Sequence, residues 1–153
     1  MTVSHKYVAA GSGETFTVLG GDEITIKAGG KDTAGAFTVV ETTTPPQAGP
    51  PPHIHTREDE TFYILDGEFE FHVGGTTIQA ETGAFVMAPR NIPHRFQNVG
   101  ETPGKLLIVC QPAGFENFVE EFATLPPDQP PDFEKMAALG QKYGIEFVQS
   151  TDG

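Results

Sequence analysis

Apolar and polar positions alternate with a period of two along much of this 153-residue chain. In "GEFEFHV", Phe69, Phe71 and Val73 fall on one face, and Glu68, Glu70 and His72 fall on the other. That is the pattern of a half-buried strand. Short runs rich in Val, Ile, Phe and Thr recur between Gly- and Pro-containing breaks: "TFTVLG", "EITIKAG", "AFTVVETTT", "TFYILDG", "EFEFHVGG", "TTIQAE", "AFVMAP", "HRFQNVG" and "KLLIVCQP". Each predicts a strand, and "VGGTT" supplies a hairpin turn. Many short strands with regular turn signals predict an all-β sandwich or barrel rather than a parallel α/β sheet.

The period changes after Pro112. "FENFVEEFATL" places Phe115, Phe118, Val119, Phe122 and Leu125 at helical spacing. "PPDQPP" breaks the chain, and "DFEKMAALGQKYG" predicts a second helix ending at Gly144. "IEFVQSTDG" reads as a short strand and a tail. The expected organisation is one domain over residues 1–153, with a barrel over about 14–112 and a helical segment over about 113–147 packed on it as a lid or buttress. The aromatic stripe of the first helix reads as packing surface before it reads as a cofactor box. "TTTPPQAGPPP" reads as a stiff extended loop, because each proline restricts its predecessor as well as itself.

Charge and cysteine content narrow the function classes. A formal net charge of −12 and a pI near 4.6 argue against nucleic acid and against an anionic membrane surface as partners. The single cysteine, Cys110, lies in the apolar run "LLIVC" and reads as a buried strand residue rather than a nucleophile. No disulfide framework is available. The N-terminal stretch lacks signal-peptide character, and no apolar run reaches membrane-spanning length. The expectation is a cytoplasmic protein.

The concentrated chemistry lies in "PPPHIHTREDETFYILDG", residues 50–67. His53 and His55 are one residue apart, so on an extended strand both imidazoles share a face. Glu60 opens the next strand. His94 follows a proline turn in "APRNIPHRFQN" and opens another. Three neutral imidazoles and one carboxylate suit a divalent first-row transition metal; the set is too hard for Cu(I) and too rich in nitrogen for Ca or Mg. His5 and His72 read as ordinary surface residues. Strand parity places Phe62 and Ile64 with Glu60, and Phe96 with His94. Phe69, Phe71 and one face of "AFVMA", taken as Phe85 and Met87, are expected to complete an apolar substrate pocket, although small barrels fill their interiors with such residues in any case.

These two stretches resemble the paired motifs of the cupins. The first motif, G-x5-H-x-H-x3,4-E-x6-G, is matched by "HIHTREDETFYILDG" with Gly67 in the closing place, while Gln47 stands where the opening glycine belongs. The second, G-x5-P-x-G-x2-H-x3-N, is matched from Gly83 through Pro89 and His94 to Asn98, with Asn91 in place of a glycine. Asn is the residue after glycine that best tolerates a left-handed backbone. The flanks "GGDEITIKAGGKDTAGAFTVVE" and "PAGFENFVEEF" are similar to those of bacterial single-cupin quercetin 2,3-dioxygenases.

The resemblance implies a jelly-roll barrel with two short C-terminal helices. It also implies one divalent transition metal (Fe, Mn, Ni, Co, Cu or Zn) on His53, His55, Glu60 and His94. The implied activity is a metal-dependent dioxygenase acting on a flavonol-like enol, with dioxygen as co-substrate and Glu60 as general base or metal ligand. Two alternatives stand beside it. One is a metal-dependent isomerase of a sugar or keto acid, which would want cations such as Arg57, Arg90 or Arg95 in the pocket. The other is a non-catalytic module that binds a small ligand. Exposed sheet edges, and the prevalence of two-fold assemblies, suggest a homodimer.

Overall fold

The computed structural model describes residues 3–152; residues 1, 2 and 153 of the expected single domain lie outside the described residues. Two antiparallel sheets face each other. One has six strands in the order β1 (Glu14–Thr17), β2 (Glu23–Ala28), β3 (Thr38–Thr44), β10 (Gly104–Gln111), β5 (Asp59–Asp66) and β8 (Phe85–Ala88). The other has five: β11 (Ile145–Phe147), β4 (His53–His55), β9 (His94–Asn98), β6 (Glu68–Val73) and β7 (Thr76–Glu81). The order is that of a jelly roll, as the strand pattern and the motif resemblance led us to expect. A single-turn α1 (Gly30–Thr33) and a 3-10 turn at Leu19–Gly21 interrupt the first sheet's connections.

Alternation decides which side chains fill the space between the sheets. β3 buries Thr38, Val40, Thr42 and Thr44 and turns the residues between them outward. β6 buries Phe69 and Phe71, and its partner β7 joins it through a two-residue Gly74–Gly75 turn, with Val73 opposite Thr76. Phe62, Ile64, Phe69, Phe71 and Leu106 are at most 1% exposed and form the centre of the core. Phe62, Phe71 and Phe96 meet as tilted and edge-on rings with centroids 5.0–5.9 Å apart.

The departures from the motif glycines keep the glycine backbone. Asn91 has φ 68° and Gln47 has φ 66°. The left-handed turn is therefore retained at both places, comfortably by Asn and at greater cost by Gln. Gly49, two residues further on, is required for a different reason: a Cβ there would collide with the carbonyl of Phe96.

The C-terminal segment does more than cover the barrel. α2 (Phe115–Phe122) begins where the Glu116 carboxylate accepts hydrogen bonds from the backbone N–H groups of Gly30 in α1 (2.6 Å) and Gly114 (2.9 Å) and from the Thr38 hydroxyl of β3, the last of which ties the helix start to the first sheet. α3 (Phe133–Tyr143) is capped by the Asp132 side chain, which accepts from the Lys135 N–H, and ends at left-handed Gly144. β11 then pairs directly with the histidine strand, Ile145 opposite His55 and Phe147 opposite His53. Among the described residues no helix is long and apolar enough to cross a membrane.

Candidate metal centre

Three strands bring His53, His55, Glu60 and His94 together. β4 carries both early histidines on its buried face, and His53 is the direct cross-strand partner of His94 on β9. Glu60 arrives from the opposite sheet, on β5, next to Cys110 of β10. One ligand atom from each of the four lies within 4.8 Å of the others, and all four residues are buried. The four residues singled out by spacing are thus adjacent in the fold.

Hydrogen bonds at the far side of each ring determine what the rings present. His53 Nδ1 donates to the Pro51 carbonyl (2.8 Å), His94 Nδ1 to the Ile92 carbonyl (3.2 Å), and His55 Nδ1 to Glu58 Oε1 (2.6 Å). With an acceptor at every Nδ1, each proton is assigned there and each Nε2 carries a lone pair. Those lone pairs converge on a carboxylate. His55 Nε2 is 3.2 Å from Glu60 Oε2, and His94 Nε2 is 3.4 Å from Glu60 Oε1. His94 Nε2 is buried with no hydrogen-bond partner among the described residues. Lone pairs facing carboxylate oxygens at this range are unfavourable unless a proton or a metal ion lies between them. Ligand atoms held about 2.1 Å from a divalent ion sit roughly 3–4 Å apart, so the donor set and its spacing fit a metal ion.

The electrostatics agree with that reading. Burial, followed by His94 and His55, pushes the His53 imidazole down to about 3 and keeps it neutral. Burial alone would raise the Glu60 carboxyl, but His55, then His94 and His53, outweigh it and hold it at about 2, so the carboxylate is anionic. Burial disfavours a charged His55, yet Glu60 and then Glu58 overcome it and raise its pKa. Neutral His53 and anionic Glu60 are in the forms a metal binds, and at His55 a metal would displace the proton that the two carboxylates favour.

A cavity of about 940 Å³ opens onto the centre. His53, His55 and Glu60 form one part of its wall; Phe96, Ile108 and the α2 residues Phe115, Phe118 and Phe122 form much of the rest. The aromatic stripe of α2, read from sequence as packing surface, is cavity wall as well.

The expected pocket needs correction. Of its seven residues only Phe96 borders the cavity. Phe62, Ile64, Phe69 and Phe71 lie on the inner face as parity required, but pack solidly in the core. Phe85 and Met87 point outward and are 64% and 52% exposed. Register explains this: Glu60 pairs with Ala88 and Phe62 with Val86, so Val86 and Ala88 share the inward face while Phe85 and Met87 oppose outward-facing Tyr63 and Thr61. Among the arginines, Arg90 is paired with Asp59 in solvent (3.2 Å), Arg57 lines a separate small hollow, and Arg95 borders the main cavity.

Two residues near or in the cavity carried no site signal in the sequence. Glu58 sits in the acidic run "REDE" and looks solvated there, yet it is buried and orients His55. Asp22, in the turn-like "GGDE", is buried at the cavity wall and accepts a hydrogen bond from Thr44 Oγ1 (2.8 Å).

Comparison with known proteins agrees with the fold. The cupin domain family matches residues 40–110. A quercetin 2,3-dioxygenase of Bacillus subtilis (strain 168) is 34% identical over 108 residues, which is 70% of this chain and 32% of that protein. The chain therefore spans about a third of that relative's length. Among solved structures, KdgF from a Halomonas species superposes with a TM-score of 0.67 at 19% identity, over 74% of this chain and 99% of that one. An RmlC-like cupin from Shewanella frigidimarina superposes with a TM-score of 0.65 at 20% identity, over 76% and 99%. With both histidine motifs in place, a jelly roll around them and these matches in sequence and structure, residues 40–110 form a cupin domain.

Proposed function

We propose that the protein is a metal-dependent dioxygenase acting on a flavonol-like enol, with His53, His55, Glu60 and His94 holding one divalent transition metal. The observation that carries this reading is the shared wall: His53, His55 and Glu60 face the same cavity as the aromatic residues of α2. A flat, apolar ligand with one acidic hydroxyl suits such a space. The 34% identity to a quercetin 2,3-dioxygenase supports the same substrate class. When bound, the metal supplies Lewis acidity toward the enol oxygen and a template for dioxygen.

The chain's own residues contribute the rest. The Pro51 and Ile92 carbonyls and the Glu58 carboxylate hold the three imidazoles in their tautomers. Glu60, anionic and at the cavity wall, is the group we assign to take the hydroxyl proton of a ligand entering from the cavity. Cys110 Sγ, 3.5 Å from Glu60 Oε2, steadies that carboxylate as a weak donor. The phenylalanines of α2 keep water away from the enolate. Arg95 is the sole arginine on the cavity among the described residues, which favours a neutral aromatic ligand over the phosphate or carboxylate that an isomerase would hold.

The test is aerobic turnover of quercetin by protein loaded in turn with Fe, Mn, Ni, Co, Cu and Zn, followed by dioxygen uptake and loss of flavonol absorbance. Uptake matched to flavonol consumption is the expected result. Absence of both with every metal overturns the reading. The homodimer belongs to the same proposal, supported by the exposed Tyr63, Leu65, Phe85 and Met87 near the β8 edge. A monomer mass in solution at micromolar concentration overturns it.

A further inference from the structure

The cavity has polar character away from the histidine cluster. Thr42 lies on the inner face of β3, where it alternates with Thr38, Val40 and Thr44. Thr38 Oγ1 donates to Glu116 and Thr44 Oγ1 donates to Asp22. Thr42 Oγ1 is buried and has no partner among the described residues. The residue itself is 1% exposed and borders the cavity, as does Asp22.

A buried hydroxyl left without a partner is destabilising, because it has given up its bonds to water. Valine is close to it in shape, packs at position 40 of the same strand face, and would carry no such cost. In the sheet, Thr42 stands between Ile24 and Leu106, both apolar, so nothing in the local packing requires a hydroxyl. Asp22 adds to the contrast. It is buried beside Thr42's strand with one carboxylate oxygen bonded to Thr44, and burial, only partly offset by that bond, pushes it up to about 7. Near neutral pH it can therefore donate or accept.

Distance along the sheet separates this feature from the metal centre. Glu60 pairs with Cys110 and Thr42 pairs with Leu106 on the same strand, β10. Four residues of strand span about 13 Å, of the order of a three-ring aromatic molecule.

We infer that Thr42 and Asp22 form a second subsite of the cavity, which recognises a hydroxyl on the end of an aromatic ligand remote from the metal centre. Thr42 Oγ1 accepts from or donates to that hydroxyl, and the Asp22 carboxyl takes the remaining bond. The subsite sets ligand choice and orientation rather than chemistry, and it does not depend on which reaction the metal centre performs.

The test uses 2-naphthol and 2-methylnaphthalene, a pair that differs by hydroxyl against methyl, with binding to the folded protein followed by fluorescence. The wild type is expected to bind 2-naphthol about five- to tenfold more tightly than its partner. Thr42→Val should abolish the preference by weakening 2-naphthol alone. Thr42→Ser, which keeps the hydroxyl, should restore it, and Asp22→Asn should reduce it in part. Thermal melts of each variant report folding, and the ratio of the two affinities cancels a general loosening of the cavity. The inference is overturned if Thr42→Val leaves the ratio unchanged, if it weakens both ligands equally, or if the wild type shows no preference. Quercetin turnover plays no part in the readout. A protein that leaves quercetin intact yet discriminates the two naphthalenes refutes the dioxygenase reading and keeps the subsite; the converse pattern does the reverse.

Discussion

Glu60 and Asp22 are both carboxylates buried at the wall of one cavity, and the protein drives them in opposite directions. Glu60, 3% exposed, is held at about 2; Asp22, 8% exposed, is pushed up to about 7. Desolvation is the largest influence on each, so depth does not separate them. Company does. Three imidazoles surround Glu60, whereas Asp22 has a single hydroxyl from Thr44 and the repelling charge of Glu23. A buried carboxylate among histidines is arranged for a cation. A buried carboxylate without one is arranged to exchange hydrogen bonds as a near-neutral group. Both sit in apolar surroundings, and the difference gives the cavity one end suited to a metal and another suited to a hydroxyl.

The largest expected effect comes from removing one imidazole. His94→Ala deletes the nitrogen that is buried without a partner and leaves Glu60 with two imidazole neighbours. Metal content after purification should fall from near one per chain to near zero, as read by elemental analysis. Full occupancy in this variant would mean that the four residues do not act as one shell, and the contrast between the two carboxylates would then need another cause.

The second effect isolates Asp22. An unfolded Asp releases its proton near the ordinary value of 3.8, whereas folded Asp22 keeps it up to about 7. Between those values the folded state binds more protons than the unfolded one. The stability this group contributes is therefore complete below 3.8 and is lost as the pH rises through 7. The interval corresponds to about 4 kcal/mol. Asp22→Asn has no such titration. Its stability relative to wild type should climb by up to about 4 kcal/mol between pH 4 and pH 8, measured by urea unfolding of the metal-free proteins. His53, whose depressed pKa makes stability fall as the pH drops from its ordinary 6.5 toward 3, titrates in both proteins and cancels in the difference. A difference that stays flat with pH would show that Asp22 ionises freely despite its burial.

What could be read from the sequence follows the same division. The strands were legible because alternation and turn glycines are local signals. The shell was legible because His-x-His, a glutamate at the head of the next strand and a histidine after a proline turn are all spacing. Residues whose role depends on long-range packing were not. Phe85 and Met87 are as apolar as their neighbours Val86 and Ala88, and only pairing with β5 decides which pair faces inward. Phe62 and Phe71 occupy the right face, but whether an inner face is core or cavity depends on where α2 and the opposite sheet come to rest. Glu58 and Asp22 were hidden by the company they keep in the chain, an acidic run and a Gly-Gly turn, which in most proteins are solvated.

Glu58 provides the smallest and most discriminating change. It lies outside the proposed shell, but its Oε1 accepts the Nδ1 proton of His55 at 2.6 Å in a site closed to solvent. Through that bond it fixes the ring so that Nε2 faces Glu60, and it makes the imidazole a better donor to a cation. Glu58→Ala leaves all four proposed ligands in place and strands the His55 N–H in an apolar environment. Losing such a partner lowers metal affinity by about 10–100-fold without abolishing it. Glu58→Gln keeps an oxygen that can accept the same hydrogen bond, and it should recover much of that loss while lacking the charge. Competition with a chromophoric chelator for Co or Zn measures all three proteins on one scale. The expected order is wild type, then Gln, then Ala. If Ala binds as tightly as wild type, His55 is oriented without Glu58. If Ala binds no metal at all, Glu58 belongs inside the shell, and Glu60 would no longer be its sole carboxylate.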